Sequence, residues 1–411
     1  MQEPDALVLE ILRQDKALKM SVFEQKDAVS TLRHYSQSPV SFAEIEKLRL
    51  EVSLILNKVC QKGSLEHDLF ARLAKSGQLL WESLLSRQVK DKLKSTQIQN
   101  LILSIDEELI NLPWELFYDG ANFLCLNFNL GRLVLTKTFD TPVRYRNFSS
   151  VPKMLVLANP TDDLKSAYTE GLNIKNQFDR RKHNVHVDFK STYIDRMYVK
   201  RNICDYDIVH FAGHCEYMPK NPQGSGWVLS DGKFTVSDIL AMGQAASLPH
   251  LVFSNACHSA ADNKNSFDAD YQERNYSLAS AFLFSGVRHY IGAVRRIEDP
   301  VSLDFSKEFY TQLISGKPVG ESVRLSRLKL MKEYGIASMH WASYILYGDP
   351  NFVLFRTKIK PVSKKVKKGL SGYKKLIARF CFLAASVSIC IFLYIWLPSI
   401  NPSSYILYLK S

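Results

Sequence analysis

Asp207-Ile208-Val209-His210-Phe211-Ala212-Gly213-His214 and Leu251-Val252-Phe253-Ser254-Asn255-Ala256-Cys257 decide how this chain is read. Each is an apolar, strand-like run that ends on a residue able to do chemistry. If the two strands are parallel neighbours, His214 and Cys257 emerge together at carboxyl ends, the edge where open α/β sheets place ligands and reacting groups. A thiol beside an imidazole at such an edge forms a nucleophile and its base. The thiol is mostly protonated near neutral pH, and a nearby imidazole is its usual activator. The chemistry also needs backbone N–H groups to receive an oxyanion. Cys257 and Cys215, the residue after His214, offer theirs. Taken singly, a buried cysteine is usually an inert small hydrophobe, and a lone histidine usually packs or faces solvent. The two residue types together at strand ends carry the inference.

Working outward, strands and helices alternate. Strands fit Met154–Ala158, Val185–Phe189, His289–Ala293 and Ser343–Leu346, and helices fit Tyr168–Phe178, Val236–Met242, Leu278–Phe284, Val301–Ile314 and Val319–Tyr334. That alternation predicts an α/β fold with a largely parallel sheet flanked by helices. Upstream, Lys16–Phe23 and Thr31–Ser36 read as short strands and Leu101–Ile105 as a longer one. A capping pattern at Ser41 to Glu44 starts a helix whose face carries Ile45, Leu48, Val52, Ile55 and Val59.

Charge has a local origin. The 411 residues carry a formal net charge of +12, and nine basic residues with no acidic one fall between Thr357 and Arg379. The remainder is close to neutral, so the basic signal speaks for an anionic lipid surface rather than nucleic acid. Behind it, Phe380 to Leu397 is eighteen residues without a charge. Alone or extended back to Leu376, it makes a helix of roughly 27–33 Å, long enough to cross a membrane. The lysines on its N-terminal side predict that the large N-terminal part faces the cytoplasm, as a single-pass, tail-anchored protein. Seven cysteines at scattered spacings, with no C-x-x-C, argue for a reducing compartment and against a disulfide scaffold.

His210, His214, Cys215, Cys257 and His258 also suggest a zinc site. On a strand, however, His210 and His214 stand about 13 Å apart, too far to share one ion. No phosphate-binding glycine motif occurs, and no cofactor or metal is expected. His258 adjoins the cysteine, but neighbouring residues on a strand point apart, which favours His214 as the base.

Several segments, in order, resemble the CHAT domain, a branch of the caspase-like cysteine peptidases with separase-like and metacaspase-like relatives. They are Leu112-Pro113-Trp114-Glu115-Leu116, His210 to His214, Leu229-Ser230-Asp231-Gly232, Ser254 to Ser259, Leu278–Gly286 and Leu346-Tyr347-Gly348-Asp349-Pro350. The resemblance covers about Gly63 to Phe355 and implies a caspase-like fold and a His214–Cys257 dyad. There are departures from the family pattern. Cys215 stands where a small residue often follows the histidine, and Ala293 to Asp299 replaces a tryptophan-containing turn. Asn255 stands where metacaspase-like relatives carry an aspartate, and helical repeats are missing.

The domains expected are an N-terminal segment over 1–62, a peptidase domain over 63–356, a basic linker over 357–375, the span over 376–397 and a short tail over 398–411. The resemblance implies a cysteine endopeptidase cleaving a partner protein, a switch in cell death or defence. The rival reading is a non-catalytic caspase-like scaffold at the membrane. Asn255, Arg295 and Arg296 are candidate substrate contacts. Arg295 and Arg296 would favour an acidic P1 side chain, and Asp262, Asp268 and Asp270 a basic one, with the lean toward basic or neutral.

Overall fold

The computed structural model describes residues 5–27, 33–62, 67–136, 143–180, 185–218, 220–258, 271–293, 297 and 299–355. The N-terminal half runs β1 (Ala6–Gln14), β2 (Ala17–Glu24), β3 (Ser36–Pro39), α1 (Phe42–Lys62), α2 (His67–Leu84), α3 (Arg87–Ser95), β4 (Asn100–Asp106), α4 (Leu124–Asn127) and β5 (Asn129–Leu135). The second half begins with β6 (Lys153–Ala158), α5 (Lys165–Arg180), β7 (His186–Ser191), α6 (Arg196–Asn202) and β8 (Ile208–Glu216). It continues through β9 (Gly226–Leu229), β10 (Gly232–Thr235), α7 (Val236–Ala245), β11 (Leu251–His258) and α8 (Tyr271–Phe284). It closes with β12 (His289–Ala293), α9 (Asp299–Ile314), α10 (Val319–Tyr334) and β13 (Tyr344–Tyr347).

Among the described residues thirteen strands form one sheet. Its main row is β7-β6-β8-β11-β12-β13-β5-β4-β1-β2-β3. The β9–β10 hairpin pairs with the last residues of β8, beyond the point where β6 stops. The sheet is mixed rather than largely parallel. β6, β7, β8, β11 and β12 are parallel, but β13 runs antiparallel to β12. The reason is the number of helices between them. One helix returns the chain to the starting edge for a parallel strand, whereas α9 and α10 together deliver it to the opposite edge. β13 then pairs in parallel with β5, so β5, β4 and β1 all run against β6, β8, β11 and β12. Residues 6–39, set apart by the sequence reading, add three strands to this same sheet.

One hydrophobic cluster covers a face of both halves and includes Leu103, Ile174, Phe253, Phe305 and Val323. A second covers the other face of the second half and includes Val209, Phe211, Trp227, Val252 and Phe282. β4 is buried along its whole length, as a central strand with both faces covered must be. Within the sheet the two halves join where β13 pairs with β5, Tyr347 with Arg132. Arg132 is buried there against Glu115, with its Nε 3.1 Å from Glu115 Oε1, and it donates to the carbonyls of Ile110 and Leu112 at 2.7 and 3.2 Å. The Leu112-Pro113-Trp114-Glu115-Leu116 segment is therefore a clamp on the seam.

Residues 356–411, with the sequence-predicted membrane span, lie outside the described residues. Among the described residues no helix is long and apolar enough to cross a membrane.

Candidate functional site

β8 and β11 are parallel neighbours, and their register pairs Ala212 with Asn255, His214 with Cys257, and Cys215 with His258. Neighbouring strands lie about 4.8 Å apart, and register partners share a face of the sheet. His214 stands at the carboxyl edge with 21% of its side chain exposed. Its Nε2 is 2.9 Å from Asp163 Oδ2.

Asp163 belongs to the loop that joins β6 to α5. That loop is built by backbone geometry its residue types tolerate: Asn159 and Asp162 take φ of 51° and 62°, in the left-handed region open to Asn and Asp. Asn159 N–H donates to Ala212 O at 2.9 Å, and its Oδ1 accepts from Leu164 N–H at 2.7 Å. Gly213 makes room for this approach, since a Cβ there would fall 3.0 Å from Pro160 Cδ and 2.9 Å from the Phe211 ring. Burial raises the Asp163 pKa, but hydrogen bonds from the Thr161 hydroxyl and from His214 outweigh it and hold the carboxyl below the usual aspartate value. An ionised carboxylate only accepts, so the His214 Nε2 that faces it carries a proton. In the neutral ring this leaves the second nitrogen, Nδ1, as the acceptor.

Below the edge, the same face holds a buried polar network. Asn255 Nδ2 donates to Glu170 Oε1 and Oε2 at 2.7 and 2.9 Å, and Tyr344 OH donates to Asn255 Oδ1 at 3.0 Å. His210 lies with Nε2 3.0 Å from Glu170 Oε1 and Nδ1 3.1 Å from Tyr310 OH. Ser302 Oγ donates to Glu170 Oε2 at 3.4 Å. Gly171 lets α5 sit close enough for this, because a Cβ there would come within 2.7 Å of Ala158 Cβ and the Phe189 ring.

The CHAT domain model matches residues 74–349. This chain belongs to the CHAT domain family. No curated protein sequence matches it. Among solved structures, separase in the Saccharomyces cerevisiae separase–securin complex shares the fold at 12% identity and a TM-score of 0.52, over 85% of this chain and 30% of that one. A second structure of that complex gives 11% and 0.51 over the same shares. The complex of Porphyromonas gingivalis RgpB pro- and mature domains matches at 10% and 0.43, over 69% of this chain and 70% of that one. The CHAT chain thus spans less than a third of the separase it resembles.

Within this CHAT domain, the structure brings the backbones of His214 and Cys257 together. Cys215 lies inside β8, in register with Trp227 of β9 and His258 of β11. Its side chain packs with the second cluster, on the face opposite His214. Asn255, a candidate substrate contact from sequence, is 6% exposed with its amide engaged by Glu170 and Tyr344. Arg295, Arg296, Asp262, Asp268 and Asp270 lie outside the described residues. Burial pushes the Cys125 pKa up to about 11 and raises that of Cys204. Among the described residues no group of three His, Cys, Asp or Glu is arranged to hold a metal ion, and His210 of the zinc reading is taken up by Glu170 and Tyr310.

Sequence reasoning missed Asp163 and Glu170. The signal for Asp163 was the Asn159-Pro160-Thr161-Asp162-Asp163 turn, which follows a buried strand and supplies a carboxylate at the same edge as His214. Glu170 left no comparable signal, since it reads as an ordinary polar position of a helix.

Proposed function

We propose that this CHAT protein is a cysteine endopeptidase with Cys257 as nucleophile and His214 as base, acting on a protein partner at a membrane. The observation that supports the reading is the β8–β11 register, in which Cys257 pairs along the backbone with His214, whose ring is bonded to Asp163. His214 Nδ1 takes the thiol proton, and the thiolate attacks the scissile carbonyl carbon. The carbonyl π electrons move to oxygen, and the backbone N–H of Cys257 is the proposed donor to that oxyanion. Collapse of the intermediate expels the amine, which receives the proton from His214. A thioester remains. Water then adds to it, losing its proton to His214, and the thiolate leaves.

A protein as substrate is supported by the separase neighbour, which was solved in complex with securin. Membrane attachment is supported by the uncharged run Phe380–Leu397 and the lysine-rich stretch before it. Cleavage of a quenched peptide library tests the enzyme. The full-length chain cleaves members of the library, and Cys257→Ala removes that activity without altering abundance. Equal cleavage by the variant would refute the assignment.

A further inference from the structure

The dyad stands on two paired strand ends, and a buried carboxylate on a helix bonds to both strands beneath it. Glu170 is 3% exposed on α5, the helix that starts two residues after Asp163. It holds Asn255, two residues before Cys257, through both carboxylate oxygens, and it holds His210, four residues before His214, through Oε1. One helix therefore bonds to β11 below the nucleophile and to β8 below the base. Burying a carboxylate is costly unless it is fully bonded, and apolar replacements of similar volume usually serve stability as well or better. Geometry is what this arrangement supplies: each residue of slip along a strand is about 3.3 Å, and a 1 Å misplacement at a reacting centre can cost 10²-fold.

We propose that Glu170 is a positioning residue that sets the end of β11, and hence Cys257, against His214. The inference rests on the dyad reading above. Its donor and acceptor pattern can be inverted. Glu170→Gln alone sets an amide N–H₂ against the Asn255 N–H₂. Asn255→Asp alone sets two carboxylates face to face. The double variant restores the match, with the Gln oxygen toward His210 and its N–H₂ toward the new carboxylate.

The measurement is the rate of Cys257 alkylation by iodoacetamide against pH in the full-length protein, followed by the mass of the Cys257 peptide, with melting temperature recorded alongside. His214→Ala is the reference. Wild type alkylates at lower pH than this reference. Each single variant slows alkylation at pH 7 by about tenfold and moves the profile toward the reference, and the double variant returns to within about threefold of wild type. If wild type and His214→Ala alkylate alike, the dyad reading falls. If those two differ while the single variants keep the wild-type profile, the Glu170 inference is overturned and the dyad stands. Where a single variant does not fold, the double variant decides: a wild-type profile supports the inference, and a folded protein with the His214→Ala profile overturns it.

Discussion

At the scale of single residues, His214 Nε2 is bonded to Asp163, and the proposed reaction uses the other ring nitrogen. Asp163 is largely exposed, so its hydrogen bond adds little to stability. Its effect is on orientation. Asp163→Ala lowers kcat by about ten- to a hundredfold with KM little changed, below the 10²–10⁴ of a general base itself. Asp163→Asn keeps an acceptor and loses less. The sign of the pH dependence follows from the depressed carboxyl: the interaction is fully present above the usual aspartate value of 3.8 and is lost as pH falls through the lower folded value. Steady-state kinetics from pH 4 to 8 checks this. A constant ratio of wild-type to Asp163→Ala kcat across that range fits, and indistinguishable kcat values contradict it. The strand-end placement of His214 and Cys257 was legible in sequence because each follows an apolar run. Asp163 needed the fold, since His214 is 51 residues away in the chain.

Elements show where pattern reading ends. β8 and β11 are near-continuous apolar runs, and their burial on both faces makes them legible. β5 was not, because Asn129, Gly131 and Arg132 interrupt its apolar pattern. Arg132 is tolerated there only because Glu115 and two carbonyls meet it. β1 was missed as well: Ala6–Gln14 mixes apolar residues with Glu10 and Arg13, and becomes a strand by pairing with β2 and β4. The Glu115–Arg132 pair yields a stability prediction. Glu115→Gln strands a buried cation at the seam and destabilises the domain by about 3–5 kcal/mol in chemical denaturation. A loss below about 1 kcal/mol would show that the pair does not hold the seam.

Across the whole molecule, alternation gave the α/β class but not the strand directions. Direction depends on how many helices lie between two strands, and the α9–α10 pair reverses β13 and, through it, the sense of the N-terminal strands. The sequence-predicted membrane span belongs to this scale too, and lies beyond the described residues. Truncation after Pro361 gives a protein that stays in the supernatant, whereas the full chain remains in the pellet after carbonate extraction; release of the full chain would refute the span. The central claim is that His214 activates Cys257. Its most direct test is labelling of the full-length protein with an electrophilic peptide probe, read by the mass of the modified peptide. The account predicts modification at Cys257 in wild type and its loss in His214→Ala, with His258→Ala still labelled. Labelling at Cys257 that is unchanged by His214→Ala, or absent altogether from wild type, would contradict it.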